Sequence, residues 1–229
     1  DIINWKDKNL TDLTLLELAY AHLGHHDSYQ LKDGRLESIL PITLSEINHV
    51  RTNIYSRNFV PIVGAFGVIE QIGFCYQRRD MPKYSNEKAS PICKALYYFA
   101  GFEEVSGDVK ALYALRNSFL HTGSLLSKAE HKNKISYYFG FNREMSEIVR
   151  HSIEVWDGNI ETLAFKNKIT WVNPEKIIDL AFSIRKEALS CISKGVLEVG
   201  LKHGKKELYY SKRSVVSPSL VNACLLPLG

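Results

Sequence analysis

The longest apolar stretch of the chain, FVPIVGAFGVI from Phe59 to Ile69, constrains the fold more than any other segment. It carries no charge, contains Gly64 and Gly67, and stops at Glu70. A bilayer-spanning helix needs about 20 apolar residues, so this stretch is too short to cross a membrane. A mostly apolar helix of this kind should be central to the core. The stretch therefore predicts a core helix from Pro61, where a first turn tolerates the missing N–H, to about Arg79. The spacing of the two glycines is wrong for a dinucleotide-binding loop and no strand precedes them, so close helix packing is the better reading.

Other helices are expected around this one. Leu13, Leu16, Ala19, Tyr20 and Leu23 form a stripe over 12–23, with Gly24 as a stop. Thr43 and Glu46 read as a capping box for a helix to about Arg57. Ser90-Pro91 should open a short helix ending at Gly101, and Ser106 to Asp108 a longer one. From Ile135 to Val172 the texture changes to aromatic and β-branched residues with a turn at Asp157-Gly158-Asn159, which predicts a small antiparallel sheet. Helix is an alternative for 146–153. Asn173-Pro174-Glu175 caps a closing helix to about Val199. The expected fold class is mainly α: a helical bundle with an N-terminal helical extension and a small antiparallel β insertion. As domains, 1–201 reads as one unit, with a helical core over 43–126 and 174–200 and the insertion over 134–172, followed by a basic tail over 202–229.

With 229 residues and 45% hydrophobic content, the chain can bury a substantial core. Its net charge of +4 equals five tail cations, Lys202, Lys205, Lys206, Lys212 and Arg213, less Glu207, leaving a neutral body. That distribution argues against indiscriminate nucleic-acid coating but permits a local phosphate site. In the tail, Lys205 and Lys206 could grip a backbone and Tyr209 and Tyr210 stack on bases; the plainer reading is a solvated terminus. Cys75, Cys93, Cys191 and Cys224 are scattered without a Cys-x-x-Cys pair, as expected of buried thiols in a reducing cytoplasm. The chain begins at Asp1 rather than Met, which leaves a removed upstream segment open.

The chemistry-bearing motif is Arg116-Asn117-Ser118-Phe119-Leu120-His121, in the apolar-periodic run VKALYALRNSFLHTGSLL. With 10 Arg and 8 His in the chain, an Arg and a His at this spacing are expected about 0.35 times by chance, and about 0.02 times with Asn after the Arg. Arg57-Asn58 is the decoy, with no His following at such a spacing. Arginine holds phosphates through paired charged hydrogen bonds, and histidine moves protons near neutral pH. On one helix Asn117 and His121 share a face, whereas Arg116 lies about 140° from His121 around the axis. Two copies about a two-fold axis would pool the residues, so a homodimer with a composite site is expected.

A late helix carrying Arg-Asn-x-x-x-His in ALRNSFLHTG resembles the HEPN superfamily (higher eukaryotes and prokaryotes nucleotide-binding), over about Val60 to Leu126 and the helix from Pro174. The resemblance implies a helical-bundle dimer with metal-independent endoribonuclease activity, often in toxin-antitoxin, abortive-infection or other antiviral systems. Arg116, Asn117 and His121 match its motif. Their chemistry needs no metal and no cofactor: His121 would move the protons of a 2′-hydroxyl attack, Arg116 would stabilise the phosphorane-like charge, and Asn117 would orient the phosphate or the imidazole. The expected partners are RNA, a second copy of the chain and an antitoxin or other regulatory protein, with no membrane.

Other readings compete. Arg116 and His121 could simply cap and bridge a helix surface, or the site could belong to a non-catalytic helical dimer that binds RNA, a nucleotide or a protein. Glu70 either orients the Arg or His from a neighbouring helix or faces solvent. Lys110 lies on the polar arc of the motif helix and is a weak RNA-contact candidate. His22, His25, His26 and Asp27 have helical metal spacing, but Gly24 should end the helix inside the set, so no metal site is expected.

Overall fold

The structure, a computed structural model, describes residues 5–129, 135–164, 166–209 and 211–213. They form two compact units: the chain up to Ile42 together with the residues from Lys202, and Thr43–Leu201.

In the first unit, helix α1 (Leu15–Leu23) is closed at its start by a reciprocal cap. Thr14 Oγ1 accepts the Glu17 N–H and Glu17 accepts the Thr14 N–H at 2.9 Å. Strands β1 (Ser28–Leu31) and β2 (Gly34–Glu37) follow as an antiparallel hairpin joined by Lys32 and Asp33, with Gly34 at φ 146°. Helix α2 (Ile39–Arg51) then spans the boundary of the two units. Leu18, Leu23, Leu31, Leu36 and Leu208 are fully buried. Leu208 closes a short 3-10 turn, Lys205–Leu208, whose carbonyl accepts the Ser38 hydroxyl at 3.3 Å.

The second unit is organised by α3 (Val60–Cys75), α4 (Pro91–Ala100), α5 (Gly107–Thr122) and α6 (Pro174–Ser193). Helix α3 packs on α4 and α6, as its apolar sequence requires. Ile62, Phe66, Ile69 and Ile72 are at most 1% exposed, each contributing about 1.5–3 kcal/mol relative to exposure. Gly73 allows the close approach: a Cβ there would collide with the Pro91 carbonyl at the start of α4. Asn173 caps α6, accepting the Glu175 N–H at 2.9 Å while its amide donates to the Arg143 and Met145 carbonyls. Strands β3 (Tyr76–Arg78) and β8 (Leu197–Val199) pair antiparallel. Strands β4 (Leu126–Ser127), β5 (Tyr137–Phe141), β6 (Val149–Arg150) and β7 (Ile169–Val172) form a sheet of order β4-β5-β7-β6.

The fold class is therefore mixed α/β rather than a mainly α bundle, with 49% helix, 15% strand and three small sheets among the described residues. The N-terminal extension contains one α-helix before the hairpin, so it is not a helical extension. The β-containing segment is not purely antiparallel, because β5 and β7 run parallel; the long connection between them is ample for a crossover. Residues 149–150 are strand. Within the segment read as a basic tail, strand β9 (Ser211–Arg213) pairs with β2. Helix boundaries differ too. Helix α2 starts at Ile39 because Pro41 lies in its first turn, where proline costs no hydrogen bond. Helix α3 ends at Cys75 where β3 begins, and α6 at Ser193 before Gly195 at φ 69°.

Candidate functional site

Helix α5 presents the motif because both of its ends are fixed. The Ser106 hydroxyl accepts the Val109 N–H at 3.2 Å, and Gly123, at φ 62°, sends its N–H back to Phe119 and Ser118. Val109, Leu112, Leu115 and Phe119 face the core. That rotation leaves Tyr113, Arg116 and Asn117 on another arc, with His121 exposed in the last turn.

Within one chain the Arg116 guanidinium gathers the motif. Its Nη1 donates to Asn117 Oδ1 at 2.9 Å and to His121 Nε2 at 2.9 Å, while Nη2 donates to the Glu70 carboxylate of α3. The angular divergence of Arg116 and His121 is thus bridged by the length of the arginine side chain, and convergence needs no second copy. The ion pair is largely buried, with side-chain exposures of 17% for Arg116 and 19% for Glu70. Of the two readings for Glu70, the contact is with the arginine. Because a guanidinium only donates, Nε2 of His121 is the acceptor in this geometry, and a neutral ring carries its proton on Nδ1. Arg116 Nε is buried without a hydrogen-bond partner.

Beside this constellation lies an open cleft of about 410 Å³, lined by Glu70, Gln71 and Phe74 of α3, Ser90 and Pro91 at the start of α4, and Tyr113, Arg116 and Asn117 of α5. Sequence reasoning named Glu70, Arg116 and Asn117 but missed the others. The available signal was spacing: Phe74 follows Glu70 by one turn, and Tyr113 precedes Arg116 by one.

The remaining candidates are not part of this constellation. Lys110 is exposed on α5, nearly two turns before Arg116. Lys205, Lys206 and Tyr209 belong to the other unit, where Lys205 Nζ donates to the Leu13 carbonyl at 2.8 Å. Tyr210 lies outside the described residues. His22 is fully buried and desolvation depresses its pKa to about 3, whereas His25, His26 and Asp27 are exposed beyond the end of α1. The four therefore share no face, and no group of three potential metal-binding His, Cys, Asp or Glu side chains occurs among the described residues. Burial raises the Cys93 and Cys191 thiols, which disfavours their reactive thiolates. Two histidines without a partner evident in sequence have one: His151 Nε2 lies 2.8 Å from Asp108 Oδ1, and His49 Nδ1 lies 2.9 Å from the Ser45 carbonyl.

No family model, curated protein or solved structure matches the chain. Among the described residues no helix is long and apolar enough to cross a membrane.

Proposed function

We propose that this protein is a metal-independent endoribonuclease of the HEPN type. The observation that carries the reading is the Arg116 guanidinium held between the Glu70 carboxylate and His121 Nε2 at one edge of an open cleft. The superfamily assignment rests on Arg116, Asn117 and His121 alone.

A scissile phosphate entering the cleft competes for the guanidinium. Once the Nη1 hydrogen held by His121 turns onto the phosphate, while the other stays on Asn117 Oδ1, His121 Nε2 regains its lone pair. That nitrogen then takes the proton of the substrate's 2′-hydroxyl. The 2′-oxygen attacks phosphorus, the bond to the 5′-oxygen breaks, and the departing oxygen takes up a proton. The products are a 2′,3′-cyclic phosphate and a 5′-hydroxyl. Arg116 stabilises the charge on the phosphorane, a contribution of about 3 kcal/mol for a preorganised donor. Asn117 keeps the guanidinium aimed through its Oδ1. No metal or cofactor enters this scheme.

The outer face of α3 supports the expected homodimer. Val60, Val63 and Gly67 stand at successive steps of three and four residues, the spacing of a helix-packing seam. Val60 and Val63 are 56% and 44% exposed, and a Cβ on Gly67 would meet nothing within 4 Å. A two-fold axis on this seam would bring two sites together and supply a second histidine as the acid. The reading includes a cytoplasmic setting and a toxin-antitoxin or antiviral role, with a regulatory protein restraining the site.

A second reading has its own support: Arg116 is already engaged by three groups of its own chain, as in a structural lock or a non-catalytic RNA-binding site. Incubation with total RNA in EDTA separates the two. The parent cuts RNA but not DNA, and Arg116→Ala and His121→Ala do not; RNA retarded in a gel but left intact favours the second reading.

A further inference from the structure

We propose that the cleft beside Arg116 is a base subsite that takes one unpaired nucleobase of a single-stranded RNA, stacked against Tyr113 and Phe74, while the adjoining phosphate lies on Arg116. This rests on the ribonuclease reading and adds the substrate class: an RNA strand whose base next to the cut is turned out of any helix.

Three features carry it. The first is spacing. Tyr113, Arg116 and Asn117 stand at i, i+3 and i+4 of α5 and all line the cleft. A rise of about 4.5 Å along α5 therefore separates an aromatic residue from a cationic one on the same cleft wall, a spacing suited to a base and its own phosphate. On the facing helix α3, Phe74 lies one turn beyond Glu70, the partner of Arg116, so the second ring lines the same cleft. The second feature is exposure. Tyr113 is 39% exposed although it adjoins the core face of α5, and its ring is therefore open to a ligand. Base–aromatic stacking is the general means by which proteins hold unpaired bases.

The third feature is the polar lining. Gln71 and Ser90 add an amide and a hydroxyl to the apolar walls formed by Phe74, Pro91 and Tyr113. Ser90 is the N-cap residue of α4, yet its side chain makes no capping hydrogen bond, so the hydroxyl is available to a ligand. A volume of about 410 Å³ falls in the small-ligand range of about 300–1,000 Å³, enough for a nucleoside and far less than a duplex needs. Among the described residues, Arg116 is the only Lys or Arg lining the cleft, matching one phosphate rather than a run of them.

The test uses a fluorescent hexaribonucleotide with every 2′-hydroxyl methylated, so that it cannot be cut by 2′-attack, and a companion strand lacking bases. Binding to the full chain is read by anisotropy in EDTA. Stacking is worth about 1–3 kcal/mol per base, so Tyr113→Ala and Phe74→Ala each weaken binding of the base-bearing strand by about 5- to 150-fold. Neither changes binding of the abasic strand, which Arg116→Ala weakens. Circular dichroism checks that each variant is folded. If Tyr113→Ala binds the base-bearing strand as tightly as the parent, or if both strands lose equally, the base subsite does not exist. The same holds if the parent does not bind the base-bearing strand. Cleavage of unmodified RNA by the parent, measured alongside, shows whether the ribonuclease reading stands when the subsite fails.

Discussion

The pairing of Glu70 with Arg116 can be weighed by a double-mutant cycle. Both side chains are less than one-fifth exposed, so the pair lies between two regimes. Exposed pairs contribute about 0–1 kcal/mol, while removing one partner of a fully buried pair costs about 3–5 kcal/mol. For Arg116→Met the expected cost is about 2–3 kcal/mol, because a carboxylate is left without its cation on the most apolar helix. Glu70→Gln should cost less, about 1–2 kcal/mol, because an amide oxygen still accepts from the guanidinium. The double variant removes both charges and should be less destabilised than the two singles added together, by about 1.5 kcal/mol. Urea unfolding at pH 7 measures all four proteins. A domain of this size loses about 2–4 °C per kcal/mol, so melting temperatures give a second readout. Additivity to within about 0.5 kcal/mol would refute the pairing and the organisation of the site built on it.

Burial holds the His22 pKa at about 3, below its ordinary 6.5, so the unfolded chain takes up a proton that the folded chain refuses. Stability present above pH 6.5 is then lost by about 1.4 kcal/mol per pH unit as pH falls toward 3. Between pH 7 and 4.5 the parent should lose about 2–3 kcal/mol more than His22→Gln in urea titrations; equal losses would contradict this account. Gly73→Ala drives a methyl group into the Pro91 carbonyl, a backbone atom unable to yield cheaply. A loss of about 3 kcal/mol is expected in thermal unfolding, and a parental melting temperature would disprove close α3–α4 packing at that point. Gly67→Arg places a long cation on the exposed seam of α3. Sedimentation should show a parental dimer and a folded variant monomer, whereas a monomeric parent removes the case for a shared site.

Elements bounded by local signals were legible in sequence. Ser106 and Gly123 mark the ends of α5 through their own backbone chemistry, and Asn173-Pro174 opens α6. What escaped depends on distance along the chain. Strands of two to five residues carry little alternation of their own, and β2 and β3 are completed by β9 and β8 from near the other end of the chain. Residues 202–208 read as a solvated basic stretch because their charges surround a single aliphatic residue, Leu208, which is buried. At the candidate site, residue types and spacing singled out Arg116, Asn117 and His121, and Glu70 stood out as the charge that ends the apolar stretch. Their convergence depends on a side-chain rotamer that helical angles alone do not supply, and the cleft walls at Gln71, Phe74, Ser90 and Tyr113 emerge only when α3, α4 and α5 are packed.

The ends of the RNA fragments test the central claim most directly. Parent and His121→Ala are incubated with a defined oligoribonucleotide in EDTA, and the products are analysed by mass spectrometry. The account predicts a 2′,3′-cyclic phosphate on one fragment and a 5′-hydroxyl on the other, formed by the parent and absent with His121→Ala. Products ending in 5′-phosphate, or equal cleavage by both proteins, would contradict it.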